Sequence, residues 1–116
     1  MADVTIDHLL RRLAFACQQS TLVDSYLVAS SDEDTLDVRI VLSDQSFIHV
    51  YYNIGRSKAA FAWIQEGRRI YGKDNSRMGW HAHPIADPDS HQPCNEIDFQ
   101  TFLREVETLY NETRNG

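Results

Sequence analysis

The chain is poor in cysteine. Its two thiols, Cys17 and Cys94, stand 77 positions apart with no C-x-x-C pair. That excludes a disulfide framework and is the usage of a reduced, cytoplasmic protein. No apolar run approaches the roughly 18 residues a membrane span needs. The N-terminus lacks a basic stretch followed by an apolar segment and a cleavage site, so no signal peptide is read. Five glycines and three prolines leave no room for a flexible linker, and repeats and low-complexity tracts are missing. There is no phosphate-binding glycine loop, no G-x-G-x-x-G, and no Ser/His/Asp or Cys/His nucleophile pattern. Positive charge is also scarce: 11 basic against 17 acidic side chains give a net charge of -6. Spread evenly, that charge would repel nucleic acid and anionic membranes.

What is present is an ordinary globular composition. With 116 residues, 42% of them hydrophobic, the chain is read as a single domain over 1–116. The charge is not evenly spread. Residues 56–77 carry Arg56, Lys58, Arg68, Arg69, Lys73 and Arg77 against Glu66 and Asp74, while both flanking segments are acidic. This basic segment reads either as a solvated hairpin face or as an anion-binding face.

Apolar residues at helical spacing (Ile6, Leu9, Leu10, Leu13, Ala14, Cys17) predict a helix over 4–18, with Asp3 or Thr5 as its cap. Strands are predicted over 22–30, 35–43, 46–53, 58–65 and 68–72, joined by short turns, with Glu66-Gly67 as a two-residue hairpin. Residues 73–95 break the pattern and read as a long loop with a short strand at 80–83. Asn95 is the expected cap of a second helix over 96–112. The expected fold is α+β: an antiparallel meander of about five strands, with the N- and C-terminal helices on one face. If the other face is open, Arg39, His49 and Tyr51 would line it.

Most of the chemistry lies in one stretch. His81, His83 and His91 are three of the five histidines and fall within 11 residues, close to Asp74, Asp87, Asp89 and Cys94. On a strand, His81 and His83 point to the same side about 7 Å apart. They can share a divalent metal such as zinc, completed by His91, Asp87, Asp89 or Cys94, either as a metal-binding site or, with a position left open, as a metal-dependent hydrolase. Alternatively, His81 and His83 work as a metal-free acid–base pair. Asp74 then orients a ring, Arg69, Lys73 or Arg77 holds a phosphate, and Asn75 and Trp80 lie against the substrate. The third use is purely structural, with Asp74-Asn75 as a turn and the rings packed over a sheet edge. Beside the enzyme readings stands a non-catalytic interaction module. The aromatic strands 47–52 and 59–65 would make such a module a homodimer.

The runs Gly67-Arg68-Arg69-Ile70-Tyr71-Gly72-Lys73-Asp74-Asn75 and Gly79-Trp80-His81-Ala82-His83-Pro84, with the later His91, resemble the TumE-type toxin family of small prokaryotic toxin–antitoxin proteins. The resemblance spans about residues 45–91. It implies an antitoxin as partner and growth arrest as activity, with RNA as the substrate. Asp74, Asn75, His81, His83 and His91 match its motif.

Overall fold

The computed structural model describes residues 4–76 and 79–115. Helix α1 (Ile6–Gln19) begins where the Thr5 side chain accepts the His8 N–H at 3.1 Å. It buries Ile6, Leu13, Ala16 and Cys17. Burial pushes the Cys17 thiol up to about 11, so it remains a protonated apolar filler. The meander follows: β1 (Val23–Ser31), β2 (Thr35–Leu42), β3 (Phe47–Asn53), a 3-10 turn (Ile54–Arg56), β4 (Lys58–Gln65) and β5 (Arg68–Asp74). The β4–β5 turn has Glu66 at φ 53° and Gly67 at φ 78°, the double left-handed geometry that a tight two-residue hairpin requires.

The sheet has seven antiparallel strands in chain order, not about five. Strand β6 (His81–His83) is the short strand expected at 80–83, here paired into the sheet, and β7 (Gln92–Pro93) comes from the stretch read as loop. Strand β5 runs on past Gly72, so that Lys73 and Asp74 pair with Ala82 and His81. The chain then returns through 84–91 and lays Gln92 and Pro93 against Ala82 and His81. Pro93 suggested loop, but at the outermost strand it gives up no bond to a further neighbour.

Alternation divides the sheet into two faces. Leu36, Val38, Ile40 and Leu42 of β2, Ile48 and Val50 of β3, and Phe61 and Trp63 of β4 all lie on one face and are fully or almost fully buried. The buried residues of α1 and of α2 (Phe99–Asn115) join the same cluster. Phe102 is its hub, 5.4 Å from the Phe61 ring and stacked 5.5 Å from Tyr71. The opposite face carries Asp37, Arg39, His49, Tyr51, Ala60 and Ala62, all exposed or half-buried.

Helix α2 starts three residues later than expected. Ile97 packs on the core, and Asp98, rather than Asn95, is the cap, accepting the Thr101 N–H at 2.8 Å. Its carboxylate also meets Arg12 of α1 at 3.3 Å. Partial burial pushes the Asp98 carboxyl up, but its Thr101 bonds and Arg12 outweigh that and hold it below the usual carboxylate range. A depressed folded pKa stabilises the fold above the unfolded value of about 4, and that stabilisation fades as pH falls through the folded one. Asp98→Ala should therefore cost about 1 kcal/mol near neutrality. In urea melts, the gap to the parent protein should close as the pH is lowered below about 4.

Candidate functional site

Strand β5 is where the two faces meet. Its odd-numbered residues Tyr71 and Lys73 point to the helices. There Glu105 of α2 accepts the Tyr71 hydroxyl at 2.7 Å and pairs with the Lys73 ammonium at 2.9 Å. Gly72 and Asp74 point to the uncovered face, opposite His83 and His81. Continuing the β6–β7 pairing by one step sets His91 beside His83. Alternation thus brings 81 and 83 to one side, and the hairpin return brings 91 to them. The ring centroids are 5.0 Å apart for His81–His83, 5.0 Å for His81–His91 and 4.7 Å for His83–His91. One ring nitrogen from each of the three lies within 4.8 Å of the others.

Asp74 ties two of the rings together. Its Oδ1 lies 3.1 Å from His81 Nε2 and its Oδ2 3.1 Å from His83 Nε2. Burial of the carboxyl favours its neutral form, but the Ser76 hydroxyl and N–H, the His83 ring and the charge of His81 outweigh that and hold its pKa low. It is therefore an anion at neutral pH. The other nitrogens face backbone carbonyls: His81 Nδ1 lies 3.0 Å from Gly79 O, and His83 Nδ1 lies 3.2 Å from Ser90 O. A carbonyl only accepts, so both Nδ1 atoms carry hydrogen. The His83 side chain is 3% exposed and the His81 side chain 13%. His91 is exposed.

Gly72 leaves room beneath the rings. A Cβ there would stand 3.0 Å from the Phe61 carbonyl oxygen and 3.2 Å from Arg69 Cδ. With Ala62 and Ala60 alongside, it gives the uncovered face a floor of small residues. Across that floor lies a second pair, His49 Nε2 with Asp37 Oδ1 at 2.7 Å. Nearby, the Arg39 guanidinium lies 4.0 Å from the centre of the Phe47 ring.

The other expected contacts divide between faces. Lys73, half-buried against Glu105, is on the helix side and away from the histidines. Trp80 is also on that side, 6.2 Å from the Phe61 ring. Asn75 locks the β4 end: its Oδ1 accepts the Ala59 N–H at 2.9 Å and its Nδ2 donates to Ser57 O at 2.8 Å. Arg69 donates to Pro88 O at 3.1 Å, fastening the 84–91 return. Arg77 lies outside the described residues. The basic segment is thus no single patch, because Lys58 and Arg68 stand at opposite ends of the hairpin, about 20 Å apart along the strands. Of the proposed extra metal donors, Cys94 is opposite Trp80, where its N–H bonds Trp80 O at 3.1 Å, and alternation turns it to the helix side. Among the described residues, Asp87, Asp89 and Cys94 do not join the histidine group. Sequence reading missed Asp37 and the Ala60–Ala62–Gly72 floor. Their in-phase positions on neighbouring strands were visible, but only the register joins them.

The protonation pattern is open to measurement. Long-range proton–nitrogen NMR of metal-free protein should show Nδ1 protonated in both His81 and His83. A ring protonated at Nε2 alone would contradict this geometry.

No curated protein and no solved structure matches the chain. A family model described as Toxin TumE matches residues 7–110, the whole sheet and most of both helices, well beyond the 45–91 stretch that carries the motif. On that match the chain belongs to the TumE toxin family, the toxin side of a toxin–antitoxin system.

Proposed function

We propose that this toxin arrests growth by cleaving RNA at the Asp74–His81–His83–His91 cluster, and that an antitoxin holds it in check. The observation that carries the reading is the gathering of three imidazoles and a carboxylate on a sheet face that no helix covers.

His83, buried with both ring nitrogens engaged, is a positioning residue: it holds Asp74. Of the other two rings, His91 is exposed, and His81, with its Nδ1 likewise held by Gly79 O, reaches a substrate through Nε2 once that nitrogen leaves Asp74. One takes the proton of a ribose 2′-hydroxyl as that oxygen attacks the phosphorus. The bond from phosphorus to the 5′ oxygen breaks, and the other ring gives that oxygen its proton, leaving a cyclic phosphate and a 5′-hydroxyl. The charge of Asp74 stabilises whichever facing ring is protonated. Arg69 at the edge of the site and Arg39 across the floor supply positive charge for the phosphates. The acidic surface of the rest of the chain limits indiscriminate RNA binding.

The experiment is induced expression, scored for growth arrest and for cleavage of cellular RNA. His81→Ala and His91→Ala should each lower the cleavage rate by at least about 100-fold with an unchanged circular dichroism spectrum. Arg11→Ala, on the exposed side of α1, should have no effect. Full arrest by a folded His81→Ala/His91→Ala double variant would end the proposal.

A further inference from the structure

Both Asp74 contacts depend on a cation: with Nδ1 spent on a carbonyl, a ring donates to Asp74 only when its Nε2 is protonated as well. Because each Nδ1 is committed to a carbonyl, each neutral ring presents its Nε2 lone pair to an Asp74 oxygen at 3.1 Å. Lone pair against carboxylate is repulsive, and both contacts become attractive only when a cation sits between them. A proton fills the gap at one ring, whereas a metal ion among the rings meets three nitrogen donors at once. From the gathering of three ring nitrogens within 4.8 Å of one another we infer that His81, His83 and His91 form a binding site for a divalent transition-metal ion of the zinc class, with Asp74 against two of the three rings.

Three further observations agree. Zinc–nitrogen bonds of about 2.0–2.1 Å in a tetrahedron place neighbouring donors about 3.3 Å apart. The three histidine donors, within 4.8 Å of one another, reach that spacing by a small contraction that the exposed His91 can make. The Asp74 carboxylate stands against two of the donors, Oδ1 3.1 Å from His81 Nε2 and Oδ2 3.1 Å from His83 Nε2. The carbonyls on both Nδ1 atoms are what an imidazole ligand requires behind it: they fix the tautomer and turn Nε2 inward. Nitrogen donors with a single carboxylate favour zinc and its neighbours over calcium or magnesium, which take mostly oxygen.

The three histidine donors fill three positions of a zinc tetrahedron, and the binding occupies the same ring nitrogens that the cleavage chemistry needs. A ring nitrogen bound to metal cannot also take or give a proton. The metal-loaded and RNA-cleaving forms therefore exclude each other, and zinc switches the toxin off. This last step rests on the proposed acid–base cleavage; the binding site itself does not.

The test uses the full chain, purified without a histidine tag and stripped with chelator. Titration with Co2+ should give the intense visible bands of tetrahedral cobalt at one equivalent, displaced by Zn2+. Zn2+ should bind with a Kd below about 1 μM and raise the melting temperature. His91→Ala and Asp74→Ala, both checked for folding, should each bind at least about 10-fold more weakly. Absence of uptake, a weak octahedral cobalt spectrum, or unchanged affinity in both variants would overturn the site, while cleavage by the stripped protein would leave the RNA reading standing. Cleavage that falls with Zn2+ occupancy supports the switch. Cleavage that needs the metal keeps the site and removes both the switch and the metal-free chemistry.

Discussion

One carboxylate organises this molecule's chemistry. Asp74 lies at the last position of β5, with each oxygen against a different imidazole. Remove that anion and the arrangement loses its reason: two rings with their outer nitrogens bonded to carbonyls would point their inner nitrogens at empty space. The Ser76 hydroxyl and N–H bond the same Oδ1 and keep it ionised and fixed in direction. The proposed proton transfer and the proposed metal site would both draw on this negative charge, seated among polarisable rings at the rim of a sheet.

The position works because β5 serves both faces. Its residues alternate between the apolar core, where Tyr71 stacks on Phe102, and the open face, where Gly72 and Asp74 sit. The Glu105 carboxylate under Tyr71 and Lys73 ties the strand to α2. Packing energy from the core therefore fixes the place of Asp74 without any core residue touching the site. Each residue that orients the chemistry is one position away from a residue that holds the fold.

Much of this was legible in the residues. The five main strands, both helices and the two-residue turn at Glu66-Gly67 follow from alternation, helical spacing and turn chemistry, each of which acts over a few residues. His81, His83, His91 and Asp74 were also visible as candidates, from residue type and spacing, and the fold brings them together. What local pattern could not supply was pairing. Strand β7 has only two residues, one of them proline, so nothing in it announces a strand; it exists because β6 offers an unpaired edge. Lys73 looked like a phosphate ligand because it neighbours Asp74, yet adjacent residues on a strand face opposite ways. The cap of α2 moved to Asp98 because Ile97 gains more by packing on the core than by entering the helix. In each of these places, a contact distant in sequence outweighed a local preference.

The brevity of β7 has a consequence for how the molecule comes apart. Gln92 and Pro93 are both exposed and bury no apolar side chain. Detaching them costs a few backbone bonds, far less than unfolding the barrier of packed rings around Phe102. His91 would leave with that tab, while Asp74, His81 and His83 stayed mounted on the rigid body. The third imidazole thus hangs on the least packed strand of the sheet.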